Sequence, residues 1–500
     1  MKKIISILVM ICAFSFVASA TSDTINYYVD AVGGDDANDG LTVEASLKTV
    51  DAVVDSLTAA YAISTNDTTL FVVNIAAGTY TTTKDKVFNC ATGDRTLSVE
   101  FKGAGANMTT FTGGDTYPSL KFFIDLLPAN NNTKLTFEDL TIDNFGNVTR
   151  KAFIAIINRD VVGAEITLER CNFTRMASSN GAIILNLANT KVIAKDCYFG
   201  DMISDATSMG AVFDIRQGEL TLENNVFNNC VSNNPLFFGA VNLQPSQGTA
   251  GLTATIVNNT FINNKIENAS EPDIDQGIIT VKGVTKAITL TLANNLFCDN
   301  TMDANNAPAN FYDVYIEDNA LVTLTDPTNN VMTSQFGLDA DVNSVDDTYT
   351  YTSTDIDFTM DGDTPELFAT TTGVSYVKAT GDKVSRGGLS TVAPTYDIAG
   401  TMRDAAQPSV GAYEVPAGST ALESSLETAA CVYPNPVRNV MYIKGDVARV
   451  AIYNIAGVQI KSVANSFAGI DVSQLNSGVF IVKCEDAHGA TLAVQRIMKN

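Results

Sequence analysis

The residues of this chain that are best placed for chemistry are an aspartate, an arginine and a lysine. Asp214 and Arg216 lie two residues apart in the apolar run AVFDIR, so a β-strand would carry both side chains on one face. Lys282 ends a comparable run, GIITVK. A carboxylate can bind a cation, and a nearby basic side chain can act as a general base. The alternative interpretation is a cross-strand ion pair on an exposed sheet, which performs no reaction.

A second group of candidate ligands lies in the acidic loop GDDANDG, residues 34–40. Asp35, Asp36 and Asp39 bring three carboxylates into a short turn, and carboxylate oxygens are the ligands that calcium prefers. The loop lacks the spacing and the distal glutamate of an EF-hand. Its side chains are also suited to hydrogen-bond the backbone of a turn. The sequence therefore leaves calcium as the one candidate cofactor and turn stabilisation as the alternative.

The composition excludes several classes of function. The single histidine is His488, so the chain before it contains no Ser-His-Asp triad and no histidine metal site. Tryptophan is missing, which leaves tyrosine and phenylalanine for sugar stacking. The 31 basic and 55 acidic residues give a formal charge of −24, which argues against nucleic acid and anionic lipid as partners and disfavours an acidic polysaccharide. After the first twenty residues no apolar run is long enough for a transmembrane anchor.

A repeated pattern shows which elements must position these side chains. Its positions one and three are mostly aliphatic, position eight is Ile or Phe, and the copies start 26 to 36 residues apart, a period typical of solenoids. The alternation predicts strands with one buried face, and a second apolar run before most copies predicts three strands per coil. Side chains that recur once per coil stack only in parallel register, so the sequence predicts an all-β parallel solenoid. The copies are LTFEDLTIDNF (135–145), ITLERCNFTRM (166–176), VIAKDCYFGDM (192–202), LTLENNVFNNC (220–230), ATIVNNTFINN (254–264) and LTLANNLFCDN (290–300).

Position six of the pattern changes from apolar residues to asparagine along the chain. It reads Leu140, Cys171, Cys197, Asn225, Asn259 and Asn295. We expect positions five and six to form a tight corner, because asparagine tolerates the left-handed backbone conformation. Each amide can then hydrogen-bond the next one along the axis, as a structural ladder. For Cys171 and Cys197 two possibilities remain, a disulfide between coils or buried thiols that pack as small hydrophobic groups.

An asparagine ladder beside an aromatic stack resembles the right-handed parallel β-helix of the pectate-lyase-like superfamily. Residues 27–57 resemble the N-terminal cap of such proteins, and residues 396–415 resemble the segment that closes many of them. The resemblance implies ligand binding on the outer face of the first strand of each coil, where Asn186 and Asn242 join the charged candidates. It also implies lyase chemistry, in which bound calcium acidifies a uronate and Arg216 or Lys282 is the base.

The two ends of the chain predict export. Residues 1–20 combine Lys2 and Lys3 with an apolar run and small residues before Thr21, the pattern of a secretory signal peptide. We assign residues 21–415 to the β-helix with its cap. The small and polar residues 416–428 indicate a linker. Residues 429–500 alternate short apolar runs with Gly and Asn turns, which predicts a small antiparallel β-sandwich.

This last segment resembles the C-terminal sorting domain of type IX secretion cargo in Bacteroidetes. The matching features include the run Pro434-Asn435-Pro436 and the turn residues Gly457 and Gly478. The resemblance implies the type IX machinery as a partner and a secreted or cell-surface location. The alternative is a β-sandwich that binds carbohydrate or packs on the helix.

Three classes of function remain open. We favour a non-catalytic glycan-binding or adhesin-like protein with an extracellular polysaccharide as partner, because a solenoid presents an extended face and this chain is rich in Asn and Thr. A polysaccharide lyase or hydrolase is the second class, supported by analogy of fold. A structural protein of an extracellular layer is the third.

Overall fold

The computed structural model shows two compact units, residues 1–415 and residues 416–500. The regions of the assigned signal peptide and linker lie outside the described residues. The structure describes residues 24–63, 69–83, 86–88, 98–114, 122–126, 132–145, 154–156, 161–178, 184–204, 212–233, 239–246, 250–267, 276–302, 311–317, 321–325, 330, 335–338, 357–360, 377–380, 388–414, 430–433, 437, 439–445, 447–454, 458–464, 469–476, 478–486 and 491–499.

The first unit is a parallel β-helix whose longest sheet, sheet A, has ten strands. Neighbouring strands come from successive coils and pair in parallel, as the repeat predicted. The strands of sheet A are β1 (Thr24–Val29), β2 (Leu70–Ile75), β5 (Ser98–Lys102), β8 (Lys134–Glu138), β11 (Val162–Glu169), β15 (Asn189–Lys195), β19 (Gly218–Glu223), β23 (Leu252–Val257), β27 (Ile288–Ala293) and β31 (Val322–Thr325).

Sheets B and D complete the predicted three strands per coil. Sheet B contains β3 (Gly78–Thr81), β6 (Thr109–Thr112), β9 (Thr141–Asp143), β12 (Asn172–Thr174), β16 (Tyr198–Gly200), β20 (Val226–Asn228), β24 (Thr260–Ile262) and β28 (Leu296–Cys298). Sheet D contains β4 (Lys86–Phe88), β7 (Phe122–Leu126), β10 (Ile154–Ile156), β14 (Ile184–Asn186), β18 (Phe213–Ile215), β22 (Val241–Leu243), β26 (Gln276–Val281), β30 (Phe311–Ile316) and β32 (Gln335–Leu338).

The middle coils add a short fourth strand that the sequence did not predict. These two-residue strands form sheet C, which follows sheet B along each coil: β13 (Ala177–Ser178), β17 (Ile203–Ser204), β21 (Val231–Ser232), β25 (Lys265–Ile266) and β29 (Thr301–Met302). A separate antiparallel pair joins β33 (Asp357–Met360) to β34 (Val377–Thr380).

The core of the β-helix contains a continuous aromatic stack. Phe227 is fully buried, with ring centroids 4.9 Å from Phe199 and 4.5 Å from Phe261. Phe173 and Phe297 extend the stack in either direction. These are the aromatic residues at position eight of the pattern, so one recurring side chain produces one row of packed rings.

Each repeat turns through two corners in which one residue adopts a left-handed backbone. At the first corner this residue is position five, not the ladder residue at position six that we had expected to tolerate the left-handed backbone. The position-five residues are Asp139, Arg170, Asp196, Asn224, Asn258 and Asn294, with φ between 49° and 58°. A second corner uses position ten: Asn144, Arg175, Asp201, Asn229, Asn263 and Asp299, with φ between 50° and 54°.

The structure places Asn225, Asn259 and Asn295 in one buried row at the first corner. The Nδ2 of Asn225 donates to the Oδ1 of Asn259 at 3.0 Å, and Asn259 donates to Asn295 in the same way. Asn330 adds a further rung that the sequence analysis did not include. Cys171 continues the row as a free thiol, and so does Cys197, so they form no disulfide.

A second asparagine ladder lies at position eleven of the pattern, beside the second corner. The Nδ2 of Asn264 donates to the Oδ1 of Asn300 at 3.0 Å, and Asn300 donates to Asp313 at 3.0 Å. In the other direction the backbone N–H of Cys230 donates to the Oδ1 of Asn264. Position eleven is Met176 and Met202 in the two preceding coils, so this ladder also replaces apolar residues.

The N-terminal cap consists of the acidic loop and one helix, α1 (Val50–Ile63). Thr49 caps the helix, because its Oγ1 accepts the backbone N–H of Ala52 at 3.1 Å. The apolar face of the helix buries Val53 and Leu57 against the first coils.

The closing segment, residues 388–414, lies against the corners of several coils. Asn224, Asn258 and Asn294 donate side-chain N–H groups to its backbone carbonyls at 2.7–3.0 Å. Arg403 in this segment is buried, donates to the Oδ1 of Asn224 at 2.8 Å and pairs with Glu414 at 3.4 Å. Position-five asparagines therefore attach the segment to the β-helix.

The second unit is a small antiparallel β-domain. One sheet joins β35 (Ala430–Tyr433), β36 (Val440–Gly445) and β39 (Ile470–Asp471), and the other joins β38 (Gln459–Ala464), β37 (Arg449–Asn454), β40 (Gly478–Glu485) and β41 (Thr491–Lys499). Its core includes Val437, Val450, Val482 and Cys484.

Candidate functional site

The Asp214 and Arg216 pair is buried in the structure rather than exposed on an open sheet. Asp214 lies in β18 of sheet D with its side chain fully buried. Arg216 binds it through two nitrogens at 3.1 and 3.2 Å, and the Nδ2 of Asn242 donates to it at 3.1 Å. Burial raises the pKa of Asp214, while the charge of Arg216 acts in the opposite direction. The pair is therefore a solvent-shielded ion pair, because the outer face of the strand is covered here.

The other proposed members of this site lie apart from Asp214. Lys282 directly follows β26, and Asp214 pairs with Asn242, which pairs in turn with Thr280 of β26. Lys282 is thus two strands away from Asp214 and two residues further along, or about 12 Å at the usual strand spacing and rise. Asn186 is opposite Ile215, not Asp214, and donates to the backbone carbonyl of Gln217. The structure does not gather these residues around one point.

The side-chain oxygen of Asn242 is unusual. Its side chain is fully buried, and its Oδ1 has no hydrogen-bond partner among the described residues. The adjacent Thr280 donates instead to the carbonyl of Gly277 at 2.9 Å. Among the described residues, the hydrogen bonds that Arg216 and Asn242 donate within this site involve a single carboxylate, that of Asp214.

The three carboxylates of the acidic loop accept hydrogen bonds from different parts of the backbone. Asp35 accepts the backbone N–H of Ala37, and Asp39 accepts that of Leu41, both at 3.0 Å. Asp36 accepts the backbone N–H groups of Lys48 and Thr49 at 2.8 and 2.9 Å, at the start of α1. Each carboxylate thus stabilises a different turn. Within the described ranges, no three His, Cys, Asp or Glu side chains form a group that could hold a metal ion.

The outer face of sheet A offers a more extended surface. Its last three strands present a threonine face: Thr253 and Thr255 on β23, Thr289 and Thr291 on β27, and Thr323 and Thr325 on β31. The register places Thr253 opposite Thr289 opposite Thr323, and likewise for the other three. Thr253, Thr289, Thr323 and Thr325 are exposed, and the other two are half-buried. The result is two parallel rows of uncharged hydroxyl and methyl groups.

The preceding strands of sheet A present charges on the same face. Lys102 pairs with Glu138 at 2.8 Å, and Lys195 pairs with Glu223 at 3.2 Å. Arg170 at the adjoining corner binds Glu138, Asp139 and Glu169, with its Nε 2.8 Å from Asp139. We refer to the outer face of β5, β8, β11, β15 and β19 as the charged face.

The threonine face could have been found from the sequence. The strands LTATIV, ITLTLA and VTLT each place threonine at two alternate positions, opposite the buried aliphatic residues. The repeat is defined by its buried positions, so the outward threonines enter the sequence pattern only as composition.

The C-terminal unit matches a known family. The family described as secretion system C-terminal sorting domain matches residues 431–500. Pro434, Asn435, Pro436 and Gly457 lie outside the described residues, and Gly478 begins β40.

Comparison with the curated proteins gives no match. None of the described helices has the length and apolar character required to cross a bilayer. The sorting domain indicates export by the type IX system to the cell surface or the medium. The chain is thus a parallel β-helix protein that carries a type IX secretion sorting domain in residues 431–500.

Proposed function

We propose that this exported protein binds an extracellular polysaccharide on its threonine face. The observation that carries the proposal is the register of the six exposed or half-buried threonines on three successive strands. Threonine is β-branched and stiff at χ1, so its hydroxyl and methyl groups lose little freedom when a ligand binds. A sugar ring also has polar edges and apolar faces, which such a surface can contact together.

The charge distribution supports a neutral rather than an acidic polymer. The whole chain has a formal charge of −24, and the threonine face itself contributes no positive side chain. An acidic polysaccharide would meet net repulsion, weakened beyond a Debye length of about 8 Å at physiological salt. A neutral, extended chain lying along the rows meets none.

Sedimentation with insoluble polysaccharides tests this proposal. The purified secreted protein is incubated with neutral polymers such as cellulose, chitin and xylan, and with pectate and alginate. We expect it to bind at least one neutral polymer, and Thr255→Lys with Thr291→Lys to weaken that binding by about tenfold or more, since two buried contacts are replaced by hydrated charges.

The matched control is Thr136→Lys, which changes a threonine in the same row on β8, within the charged face. We expect this variant to bind within about twofold of the unchanged protein, because a loss below about 0.5 kcal/mol is typical of a surface change outside the contact. Equal binding by all three proteins, or no binding to any polymer, overturns the proposal. A rise in ultraviolet absorbance from pectate or alginate would instead indicate lyase activity.

Export has its own test. Deletion of residues 432–500 should leave the protein in the periplasm, because the sorting domain is a separate compact unit and its loss need not unfold the β-helix. Immunoblots of periplasm, cell surface and medium measure the distribution. Wild-type levels of the truncated protein outside the cell contradict the role of the domain.

A further inference from the structure

A pocket of about 370 Å³ opens at the first coils, at the opposite end of sheet A from the threonine face. Its lining includes Tyr28, Asp30, Val43, Ser46, Asn74 and Lys102. The volume falls in the range of natural small-molecule sites, and the lining combines apolar groups with a few polar ones, as such sites do.

One wall of the pocket is a row of outward side chains on three successive strands. Tyr28 is opposite Asn74, and Asn74 is opposite Lys102, so the three lie side by side along the solenoid axis. Tyr27 and Val29 are buried on the other face of β1, which fixes the outward direction of Tyr28. The tyrosine ring therefore stands at the edge of the pocket beside an amide and an ammonium group.

The other wall is the loop that contains Val43 and Ser46, and the acidic loop holds it in place. The backbone of Tyr28 donates to Gly40 and accepts from Leu47, at 2.8 and 2.9 Å. The Nδ2 of Asn38 donates to the carbonyl of Ser46 at 2.9 Å. Asp36 anchors the end of the loop to Thr49, as described above. The acidic loop thus supports the pocket.

We propose that this pocket binds a single neutral sugar ring, with the ring of Tyr28 against the apolar face of the sugar. Asp30 accepts hydroxyl hydrogens and Lys102 supplies donors at the same opening. The Oδ1 of Asn74 is a further acceptor, because its Nδ2 already donates to the Oδ1 of Asn26 and to the carbonyl of Tyr27, both at 3.3 Å. The assignment to a sugar rests on the proposed glycan-binding function, but the pocket is a separate site. Four strands of sheet A lie between β5 and β23, so about 24 Å separates it from the threonine face.

The charges in the lining favour a neutral ligand. Lys102 is already paired with Glu138 at 2.8 Å, so it offers hydrogen-bond donors without a free positive charge. Backbone N–H groups of Gly33 and Val32 bind one oxygen of Asp30 and lower its pKa, which keeps a negative charge at the opening. A uronate carboxylate would face that charge, whereas a sugar hydroxyl would donate to it.

Ligand-observed NMR with soluble sugars tests the pocket apart from the threonine face. The probes are glucose, galactose, mannose, xylose, N-acetylglucosamine and galacturonate, each too short to reach both sites. We expect at least one neutral sugar to bind with a dissociation constant on the order of 1 mM, as suits a ligand of that size. Galacturonate should bind more weakly than its neutral counterpart galactose.

Variants of the pocket residues test whether the ring of Tyr28 binds the sugar directly. Tyr28→Ala should weaken binding by about tenfold, whereas Tyr28→Phe should keep it. Asn74→Ala should weaken it by about threefold, the loss of one modest hydrogen bond. The matched control is Tyr396→Ala, which removes an exposed tyrosine from the closing segment and should change nothing. Thermal unfolding of every variant establishes that the fold is kept.

The sugar-binding and sedimentation experiments together distinguish the pocket from the threonine face. The pocket proposal is overturned if no sugar binds the unchanged protein, if Tyr28→Ala and Asn74→Ala both bind normally, or if galacturonate binds best. Polymer sedimentation that persists without sugar binding rejects the pocket alone. Sugar binding that persists while no polymer sediments rejects the threonine face alone.

Discussion

The early and late coils of the β-helix differ both in the outer face of sheet A and in the buried residues at the first corner. In the early coils, β8, β11 and β15 present charges outside, and their corners bury apolar residues. In the late coils, β23, β27 and β31 present threonines outside, and their corners bury asparagines. The inner residues at the first corner are Leu140, Cys171 and Cys197 early, and Asn259, Asn295 and Asn330 late, with Asn225 at the change.

The early and late halves of the β-helix fix the register of their strands in different ways. Early strands place opposite charges side by side, such as Glu165 with Lys191 at 3.9 Å, so a shifted strand would lose its ion pairs. Late strands could slip by two residues and still place threonine opposite threonine. Their outer face therefore contributes little to register. The buried amide ladders supply it instead, which leaves the threonine face free to bind a ligand.

The first prediction concerns the core stack that both halves share. Phe227→Ala removes the ring between Phe199 and Phe261, where centroid distances are 4.9 and 4.5 Å. We expect a loss of roughly 3–5 kcal/mol in the free energy of unfolding, from lost burial and the cavity left behind. Urea denaturation measures it. Thr221→Ala on the outer face of β19 in the same coil is the control and should cost below about 0.5 kcal/mol. A small loss for Phe227→Ala would mean that the stack does not join the two halves.

The second prediction compares the ladder in the two halves. Asn259→Leu leaves the amide groups of Asn225 without their acceptor and the carbonyl of Leu222 without its donor. We expect a loss of about 2–4 kcal/mol, because several buried polar groups become unsatisfied together. The early counterpart Cys197→Ala removes a small thiol and its weak hydrogen bond to the carbonyl of Lys195, and should cost about 1 kcal/mol.

Hydrogen exchange of backbone amides in β23 and β15 shows whether each loss stays local. Equal losses of stability for Asn259→Leu and Cys197→Ala would contradict the idea that the late half depends more on its buried corner residues than the early half does.

The sequence predicted the coil and the first ladder because both follow from side chains that recur once per coil. The second ladder was missed although its signal was present, since Met202, Cys230 and Asn264 occupy one column just as Cys197, Asn225 and Asn259 do. A buried polar column needs partners above and below, and that argument applied equally at position eleven.

The candidate site was predicted less well, for a physical reason. Alternation places Asp214 on the outer face of a strand, but it does not tell what covers that face, and the structure buries the residue completely. The pocket could not be inferred at all. Tyr28, Asn74 and Lys102 become neighbours only through the register of β1, β2 and β5, whose spacing lies outside the regular repeat.

The third prediction concerns an early corner whose position-five aspartate is replaced by asparagine, the residue at this position in the later coils. Burial raises the pKa of Asp196, the position-five residue before Cys197, from 3.8 to about 6. Between about pH 4 and 6 the folded state keeps a proton that the unfolded chain has lost, so the stability linked to this group is fully present below about pH 4 and is lost as the pH rises through 6. Asp196→Asn should remove that penalty and add about 1–2 kcal/mol of stability at pH 7.5, after allowance for partial solvent screening.

Asparagine suits this position, because Asn224, Asn258 and Asn294 adopt the same left-handed backbone in the later coils. It also keeps an acceptor for the Nδ2 of Asn224, which lies 3.0 Å from Asp196. Urea denaturation at pH 4.5 and 7.5 should show a small difference in stability at the lower pH and a clearly more stable variant at the higher one. The same difference at both pH values would contradict a titrating Asp196.

The smallest expected effect concerns salt. Arg170, at the corner that adjoins the charged face, binds Glu138, Asp139 and Glu169, and its side chain is 42% exposed. Arg170→Met should cost about 0.5–1 kcal/mol in dilute buffer, the upper range for surface ion pairs in a network. The cost should fall by about half or more in 0.5 M NaCl, where the Debye length is near 4 Å. Thr291→Met on the threonine face has no charge to lose, so its effect should not depend on salt. Urea is the suitable denaturant, since guanidinium would itself screen the charges. A salt-independent cost at Arg170 would assign its contribution to packing of the side-chain stem, and the charged face would then not specify register by electrostatics.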